Sequence, residues 1–556
     1  MMIRFPLFFA AFLQGMAAFA QRPAIQIEQT QYQVPVLSHK AYNAVLRLKM
    51  TVPPGGGTTL DGLTIDLTGT TDPTAIRSVD VLYTGADSVW KGGLENPQAV
   101  FGSSGKVRAQ VSIAGRRPLQ EGTHFFWVSY ALADRADAGA YVGSACTKAT
   151  FGTDEVVPAR HNGPIRQRTG VALRQHMQDG VHTSRIPGLA TTNKGTLLAI
   201  FDARYESARD LQGHMDIGLH RSTDGGQTWE PLQIAMDMGE WGGLPQRFNG
   251  VSDACILVDK NSDAIYIAGL WMYGVIGDDG NWVEGLTDTS TVWNHQWRTK
   301  GSQPGFGVKQ TSQFLVVKST DDGKTWGEPM NLTEHCKRAE WWLWAPAPGA
   351  GITMRDGTLV FPTQGRDAVG KSFSNITYSK DGGKTWQTSN PALDVPAGTT
   401  ECAVVERTDG SLMLNMRANS NRGNEGPDNG RAIAVTHDLG NTWHEHPTSF
   451  RALPEPTCMA SLYTHEYTTS GETKRVLIFL NPHSKTARED MTLKVSFDDG
   501  LTWPEANWVL LDEGRSRGYS CITSVDDGHI GVLYESSQAD LVFQRIPLGE
   551  LTDPGR

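Results

Sequence analysis

The chain has 556 residues, 39% of them hydrophobic, which is enough for two to four domains with sizeable buried cores. Its formal net charge is −10, and without a cluster of basic residues this balance argues against nucleic acid as a partner. An anionic ligand would need a local positive site, because the field of the whole molecule does not attract it.

The first 20 residues have the layout of a secretory signal peptide. Arg4 precedes an apolar run, and the segment ends in Ala18-Phe19-Ala20. We expect cleavage after Ala20, and an uncleaved anchor is the alternative. No later stretch is long and apolar enough to span a bilayer, so we expect no integral membrane segment after cleavage. The expected location is secreted or periplasmic, with attachment to the cell surface left open.

Residues 21–155 predict a β-sandwich. Segments in which apolar and polar residues alternate, such as AYNAVLRLKMTV and THFFWVSYAL, are separated by short turn-rich gaps. This alternation is typical of strands with one buried face. A linker with two prolines is predicted at 156–170, and the remaining chain, 171–556, has a different pattern.

Five copies of one short motif, S/T-x-D-x-G-x-T-W, run through 171–556. These boxes begin at Ser222, Ser319, Ser379, Thr436 and Ser496. The hydroxyl and the Asp can bond nearby backbone groups, the Gly permits a tight turn, and the Trp anchors the turn in apolar packing. We therefore expect the boxes to be structural turns that do no chemistry.

A second turn recurs ahead of each box, flanked by strand-like runs such as TLLAIFDAR and SLMLNMR. These turns lie at Lys194-Gly195, Asp263, Asp356-Gly357, Asp409-Gly410, Gly471 and Asp527-Gly528. Six turns and five boxes predict six four-stranded units, the last without a box. Radial closure of such units gives an all-β fold, a six-bladed β-propeller. A β-helix or a long sandwich is the alternative, although the period is long for the first and too regular for the second.

The six cysteines show no close metal-binding spacing such as C-x-x-C. They are Cys146, Cys255, Cys336, Cys402, Cys458 and Cys521. An oxidising compartment would permit disulfides. Because several of these cysteines lie within apolar strands, we favour buried free thiols.

The boxes, with Arg185-Ile186-Pro187 ahead of the first, resemble the bacterial sialidase (neuraminidase) family. The resemblance covers about residues 170–548, and it is specific because several separate motifs agree in order and spacing. It implies a propeller enzyme, an exo-α-sialidase that removes terminal sialic acids from glycoproteins, glycolipids and oligosaccharides. The segment 21–155 resembles the sandwich that precedes some bacterial sialidase propellers. Carbohydrate binding and a structural brace are both open for it.

An aromatic-rich insertion at about 269–310 lengthens the gap between the first two boxes. Its aromatic residues include Trp271, Tyr273, Trp282, Trp293 and Trp297. Long loops on a rigid scaffold often carry function. Stacking on sugar faces and packing within the loop are the two interpretations.

The resemblance implies that three arginines hold the carboxylate of sialic acid. They are Arg185 in SRIPGL, Arg417 at the end of SLMLNMR, and Arg488 in SKTAREDM, whose local motif is the loosest. Guanidinium groups suit this task because they make paired, charge-assisted hydrogen bonds to a planar carboxylate.

The resemblance further implies a tyrosine nucleophile, Tyr519 in GYS, and a partner base, Glu401 in TTECAVV. A carboxylate nucleophile would be repelled by the carboxylate of the substrate, whereas a neutral phenol is not. A phenol is weak at its usual pKa of about 10, so it needs a neighbouring base. The nearby Tyr534 is not expected to serve, because it lies on a buried strand.

The acid that protonates the leaving group is expected to be Asp210, which ends FDARYESARD; Asp202 is a rival with an expected structural role. The resemblance also implies that Arg204 points into the pocket and that Asp253 contacts the polar substituents of the sugar. Glu535 is expected to orient the first arginine.

The implied reaction is hydrolysis with retention in two steps, and neither a metal nor an organic cofactor is expected. Two alternatives remain at this stage. An intramolecular or transfer-type sialidase would share the chemistry and differ in its product. A sialic-acid-binding propeller would bind without turnover.

Overall fold

The computed structural model describes residues 25–90, 100–160, 162, 165–210, 213–243, 245–275, 277, 279, 283 and 302–553. The described chain is almost entirely β-structure, as predicted, and its two α-helices, α1 (Thr333–Cys336) and α2 (Gly549–Thr552), have four residues each. Neither of these described helices is long and apolar enough to cross a membrane. The predicted signal peptide lies outside the described residues.

The N-terminal part contains two sheets around one hydrophobic core. Its strands are β1 (Gln26–Thr30), β2 (Val36–Ser38), β3 (Asn43–Val52), β4 (Thr58–Asp66), β5 (Ile76–Gly85), β6 (Val100–Ser104), β7 (Gln110–Leu119), β8 (Gly122–Leu132), β9 (Tyr141–Gly143), β10 (Ala145–Phe151), β11 (Asp154–Val156) and β12 (Ala159–Arg160). One sheet has the order β12-β1-β3-β8-β5-β6 and the other β11-β10-β4-β7. Alternate residues such as Leu48 and Phe126 in the first sheet and Ile65 in the second are buried between them, which accounts for the period of two in the sequence.

The strands from residue 166 onward form further sheets. They are β13 (Arg166–Arg174), β14 (Thr183–Thr191), β15 (Leu197–Arg204), β16 (Met215–Ser222), β17 (Gln233–Met236), β18 (Asn249–Val258), β19 (Ile265–Tyr273), β20 (Gln313–Ser319), β21 (Met330–Asn331), β22 (Leu343–Pro346), β23 (Gly349–Ala350), β24 (Ile352–Thr353), β25 (Leu359–Arg366), β26 (Ser372–Ser379), β27 (Gln387–Thr388), β28 (Thr399–Glu406), β29 (Leu412–Ala418), β30 (Ala432–Thr436), β31 (His444–Glu445), β32 (Ser461–Thr469), β33 (Glu472–Pro482), β34 (Met491–Ser496), β35 (Val509–Asp512), β36 (Ser520–Asp526), β37 (His529–Tyr534) and β38 (Leu541–Pro547).

All but two of these strands pair in groups of four, which we number as units one to six; the short strands β23 and β24 add to β18 and β25. The units are β14–β17, β18–β21, β22 with β25–β27, β28–β31, β32–β35, and β36–β38 with β13. Units one and two are joined by a pairing between β16 and β18. Each unit contacts the next one along the chain: β14 contacts β18, β18 contacts β22, β28 contacts β25 and β26 of the third unit, β28 contacts β32, and β32 contacts β36. Strand β36 of the sixth unit in turn contacts β14 of the first. The contacts between units therefore close on themselves.

Strand β13 connects the two parts of the molecule. It precedes unit one in the chain but pairs antiparallel with β38, so it completes the last sheet. From the N-terminal part, β2 and β9 both pair with β13. Lys40 Nζ also donates to the carbonyl of Gln538 at 2.7 Å, and the Tyr141 hydroxyl donates to Glu550 Oε2 at 2.6 Å. The N-terminal part is thus tied to the sixth unit by main-chain pairing and by side-chain hydrogen bonds.

The five boxes are hydrogen-bonded turns between the third and fourth strands of their units. In the first, Gly226 N donates to Ser222 Oγ at 2.9 Å, and Thr228 N donates to Asp224 Oδ1 at 2.9 Å. The corresponding aspartates in the other boxes are Asp321, Asp381, Asp438 and Asp498. A Cβ on Gly226 would lie 2.1 Å from the ring of Phe543, so only glycine fits there. The interpretation of the boxes as structural turns is confirmed.

All six cysteines lie within the described residues, where they are buried and unpaired, as we expected. Of the aromatic residues in the insertion, Trp271 and Tyr273 belong to strand β19 and are buried in the core of the first two units. These two side chains pack within the protein. Trp282, Trp293 and Trp297 lie outside the described residues.

Candidate active site

A cavity of about 670 Å³ opens at one end of the first strands of the units. Seven of the nine residues predicted from the sequence line it: Arg185, Asp210, Asp253, Glu401, Arg417, Arg488 and Tyr519. The other two, Arg204 and Glu535, are buried behind the cavity wall. Residues from five of the six units are therefore brought together.

Three first strands are bulged where they contribute to the cavity. The register of β14 shifts between Arg185 and Gly188, that of β18 between Ser252 and Cys255, and that of β28 between Thr399 and Cys402. A bulge breaks the strict alternation of side chains and can re-aim one residue. These shifts bracket the cavity residues Asp253 and Glu401 and begin at Arg185.

Tyr519 and Glu401 form the closest contact in the cavity. The phenol of Tyr519 donates a short hydrogen bond to Glu401 Oε1, and Arg417 Nη1 donates to Glu401 Oε2 at 2.6 Å. Burial, together with the charge of Glu401, raises the pKa of the Tyr519 phenol well above its usual value. The phenol is therefore neutral at rest and already bonded to a base.

Gly518 allows Tyr519 to reach this position. Its φ is +87°, and a Cβ there would lie 2.9 Å from both Cys458 Sγ and Pro482 Cγ. Any larger residue would be strained and would push the backbone away from the fifth unit. The sequence Gly-Tyr-Ser therefore has a steric basis.

Glu535 binds both Arg185 and the main chain of Tyr519. It accepts from Arg185 Nε at 2.9 Å, from Ile186 N at 3.1 Å and from Tyr519 N at 3.0 Å. Burial raises the pKa of Glu535, but the charge of Arg185 and these hydrogen bonds outweigh it and hold the pKa below its usual value. The side chain is thus an ionised, buried anchor that fixes Arg185 relative to Tyr519.

The three predicted arginines converge on Tyr519. The guanidinium carbon of Arg185 lies 5.3 Å from the centre of the Tyr519 ring, and that of Arg488 lies 5.5 Å from it. Arg417 Nη1 lies 3.3 Å from the Tyr519 hydroxyl. Arg488 is held by main-chain carbonyls, since its Nη1 donates to that of Arg517 at 2.8 Å. A planar anion bound between these groups would lie directly beside the phenol.

Asp210 is bound by two arginines at the mouth of the cavity. Its Oδ1 lies 3.0 Å from Arg185 Nη1 and 2.5 Å from Arg204 Nη1, and its side chain is 65% exposed. The cavity walls desolvate Asp210 in part, which raises its pKa, but the charges of Arg204 and Arg185 outweigh this and lower the pKa below its usual value. Asp210 is therefore ionised in the free protein.

The expectation that Arg204 points into the pocket is not met. Its side chain is fully buried, with Nη2 donating to Asp202 Oδ2 at 2.8 Å and Nη1 reaching Asp210. The reason is electrostatic, because a buried guanidinium needs a carboxylate partner. Asp202 provides this partner two residues earlier on the same strand, β15. Asp202 itself is fully buried away from the cavity, in agreement with a structural role.

Asp253 lines the cavity on the second unit. Its φ is +55°, and its backbone N donates to Asp202 Oδ1 at 3.2 Å. Burial, then the neighbouring carboxylates of Asp202 and Glu401, raise its pKa well above the usual value. A protonated Asp253 can donate a hydrogen bond as well as accept one.

The sequence analysis missed the cavity residues of the third unit and part of the fourth. They are Leu343, Gln364, Gly365, Arg366, Ser372, Thr400, Asn419 and Arg422. One signal was present for Arg366, which ends β25 as Arg204 ends β15. Tyr534 lies on β37, fully buried, and donates to Gln544 outside the cavity.

Two family models match this chain. The family model described as a BNR repeat-like domain matches residues 186–508. The model described as the N-terminal domain of BNR-repeat neuraminidase matches residues 24–155.

A sialidase of Bacteroides fragilis is 37% identical over 95% of this chain and 96% of its own length. A sialidase of Paraclostridium sordellii is 30% identical over 64% of this chain and 81% of its own. Among solved structures, a Hadza microbial sialidase superposes with a TM-score of 0.82 at 35% identity, covering 94% of this chain and all of its own. The intramolecular trans-sialidase of Ruminococcus gnavus, at 18% identity and a TM-score of 0.53 over 69% of this chain and 98% of its own, shares the fold. The chain belongs to the BNR-repeat sialidase (neuraminidase) family of glycoside hydrolases.

Proposed function

We propose that this chain is an exo-α-sialidase that hydrolyses terminal sialic acids from glycans. The observation that carries the proposal is the hydrogen bond from Tyr519 to Glu401 within a cavity lined by three arginines. A sialic acid has a carboxylate on the anomeric carbon, which is the carbon that reacts. The groups that bind the carboxylate must therefore lie beside the nucleophile that attacks this carbon. The geometry of this cavity supplies both.

The substrate carboxylate is held by Arg185, Arg417 and Arg488. Because Glu535 fixes Arg185 and Glu401 fixes Arg417, these guanidinium groups are ordered before the substrate arrives. Preorganised donors reduce the entropy lost on binding. They also place the anomeric carbon over the Tyr519 hydroxyl.

Cleavage then proceeds in two steps. Tyr519 Oη attacks the anomeric carbon as its proton passes to Glu401, and the bond to the leaving oxygen breaks while Asp210 protonates that oxygen. In the second step, a water that gives its proton to Asp210 attacks the same carbon, and Tyr519 leaves as a phenol after recovering its proton from Glu401. Two displacements at one carbon retain its configuration.

Substrate binding prepares Asp210 for its role as an acid. In the free protein the charges of Arg185 and Arg204 lower its pKa. When the substrate carboxylate pairs with Arg185, that charge is compensated and no longer acts fully on Asp210. The pKa of Asp210 then rises, so that it takes up a proton in the complex.

For the fold, we infer that the six units form a radial six-bladed β-propeller in the segment 171–556. Three observations support this: the contacts between successive units that return from the sixth unit to the first, the completion of the last sheet by β13, and the recurrence of the box turns. The predicted insertion at about 269–310 begins within β19 and ends before β20, the second and third strands of unit two; 276, 278, 280–282 and 284–301 lie outside the described residues.

We further propose that the N-terminal part, 21–155, acts as a brace, supported by its main-chain pairing with β13 and by the hydrogen bond from Tyr141 to Glu550. Within the predicted linker, 156–170, we place the change from one part to the other between β12, which ends at Arg160, and β13, which begins at Arg166. Residues 1–20 are proposed to direct export to the periplasm or the medium, which fractionation of producing cells would test.

The proposed function is tested by Tyr519→Phe with an aryl sialoside. We expect kcat to fall by at least about 100-fold, because the nucleophile is lost while the ring still fills its place. Tyr534→Phe is the matched control, since it removes a buried phenol outside the cavity. Turnover at the wild-type level in the Tyr519 variant would refute the role of the phenol.

Product analysis by NMR tests the rest of the proposal. We expect free sialic acid that first appears as the α-anomer, which retention requires. An anhydro sugar or a new sialoside as the main product would replace hydrolysis by an intramolecular or transfer reaction. Sialoside binding without turnover would contradict an enzyme.

A further inference from the structure

Asp202 occupies a central place behind the cavity without touching it. It lies on β15, directly opposite Arg185 of β14 in the antiparallel register, and it is fully buried. A buried carboxylate is costly unless it is paired and hydrogen-bonded. The hydrogen-bond partners of Asp202 therefore show which groups this buried carboxylate holds in place.

The first partner is Arg204, two residues along the same strand and on the same face. Arg204 donates to Asp202 Oδ2 from Nη2 at 2.8 Å and from Nε at 3.3 Å, and its remaining Nη1 reaches Asp210 Oδ1 at 2.5 Å. Two hydrogen bonds to Asp202 from one side of the guanidinium fix the plane of the Arg204 head group. Asp202 thereby sets the position from which Arg204 Nη1 donates to Asp210.

The second partner is the bulge of β18. Ser252 Oγ donates to Asp202 Oδ2 at 2.6 Å, and the backbone N of Asp253 donates to Oδ1 at 3.2 Å. Asp253 has φ +55°, a conformation that needs support in a residue other than glycine. One carboxylate thus stabilises both the fork that holds Asp210 and the bulge that presents Asp253.

We propose that Asp202 is a positioning residue for the reaction, which couples the placement of the acid Asp210 to the placement of Asp253. It acts through Arg204 on one side and through the main chain of the second unit on the other. It also compensates the charge of Arg204, so that this charge acts only in part on Asp210. The inference rests on the proposed function, because its effect is measured on sialoside turnover.

The charges around Asp210 determine the direction of the effect. Arg204 and Arg185 face it from the first unit, Arg488 from the fifth, and the carboxylate of Asp253 from the second. Removing the negative charge of Asp202 leaves Arg204 uncompensated and lowers the pKa of Asp210 further. Removing Arg204 has the opposite effect and raises it.

The test compares the dependence of kcat on pH for an aryl sialoside, because kcat reports pKa values in the enzyme–substrate complex, where Asp210 holds its proton. Because Asp210 must be protonated to act, activity is lost as pH rises through its pKa. In Asp202→Asn we expect this alkaline limb to move to lower pH and kcat at the optimum to fall by about 10- to 100-fold. In Arg204→Gln we expect the limb to move to higher pH.

Asp512→Asn is the matched control. Asp512 is also a fully buried carboxylate, but it bonds Ser536 and Ser537 away from the cavity. We expect this variant to lower the melting temperature and to keep the wild-type pH profile. The same shift in this control would show that Asp202 is merely structural.

A folded Asp202→Asn protein with the wild-type pH profile would overturn the inference. If that variant does not fold, the Arg204→Gln profile decides: a limb that stays in place or moves to lower pH overturns the inference. Absence of turnover in the wild-type protein contradicts the proposed function instead, so the two failures are distinguishable.

Discussion

Two sets of aspartates in this chain show opposite uses of the same side chain. In the boxes, Asp381 is exposed, and hydrogen bonds from Thr385 and Ser379 lower its pKa to about 2. In the cavity, burial and neighbouring carboxylates raise the pKa of Asp253. The first residue holds a turn by accepting bonds from its own loop, whereas the second is kept away from solvent where a ligand can use it.

The repeated turns and the residues of the cavity are therefore separate sets in this fold. Units one to five repeat the box turn, because the same connection between the third and fourth strands recurs in each sheet. The cavity residues are not repeated in this way, since a single ligand faces each unit from a different side. Variants at the two kinds of site should therefore differ in what they change.

The largest effect is expected for Glu401→Gln. The variant keeps the shape of the side chain but cannot take the proton of Tyr519, and its pairing with Arg417 is weakened. We expect kcat to fall by about 10²–10⁴-fold with a smaller change in KM. Steady-state kinetics on an aryl sialoside measures this.

Glu455→Gln sharpens the test, because Glu455 is also a buried glutamate in an ion pair with an arginine, Arg431, but outside the cavity. We expect this control to affect thermal stability more than kcat. A wild-type kcat in the Glu401 variant would show that Glu401 is not the base that takes the proton of Tyr519.

A moderate effect is expected for Arg488→Lys. Lysine keeps the charge but loses the planar fork that binds a carboxylate with two parallel bonds. We expect kcat/KM to fall about tenfold, as the loss of one charge-assisted hydrogen bond worth ~1.5 kcal/mol implies. Titration with free sialic acid should show the same weakening.

Arg545→Lys is the control for charge and size, since Arg545 pairs with Asp526 outside the cavity. Equal affinity for sialic acid in the Arg488 variant and the wild-type protein would show that this guanidinium does not hold the carboxylate.

The sequence predicted the repeated parts of the fold well, because they depend on local physics. The box turns are closed by hydrogen bonds among residues of one motif. In the strands, the alternation of apolar and polar residues marks the buried face. The order of motifs also placed Tyr519, Glu401 and the three arginines in one cavity. These residues stand at fixed places relative to the turns.

The contacts that depend on distant residues could not be predicted. Arg204 was expected in the pocket, but its burial beside Asp202 depends on the packing of β15 against β18. Arg422 lines the cavity from the loop that follows β29, whose direction no local pattern gives. The pairing of β2 and β9 with β13 joins segments far apart in the chain, which periodicity does not reveal.

The smallest effect on activity is expected for Asp381→Asn in the third box. Because the pKa of Asp381 is about 2 in the folded protein and higher in the unfolded chain, the ionised side chain stabilises the fold at neutral pH. This contribution is lost as pH falls toward 2. We expect the variant to melt at a lower temperature than the wild-type protein at pH 7, and the difference to shrink at pH 3, with kcat unchanged at the assay temperature. Calorimetry at both values, with Asp253→Asn as the contrasting variant, measures this. A change in kcat without a change in melting temperature would mean that the boxes take part in the chemistry, and the separation between repeated turns and cavity would fail.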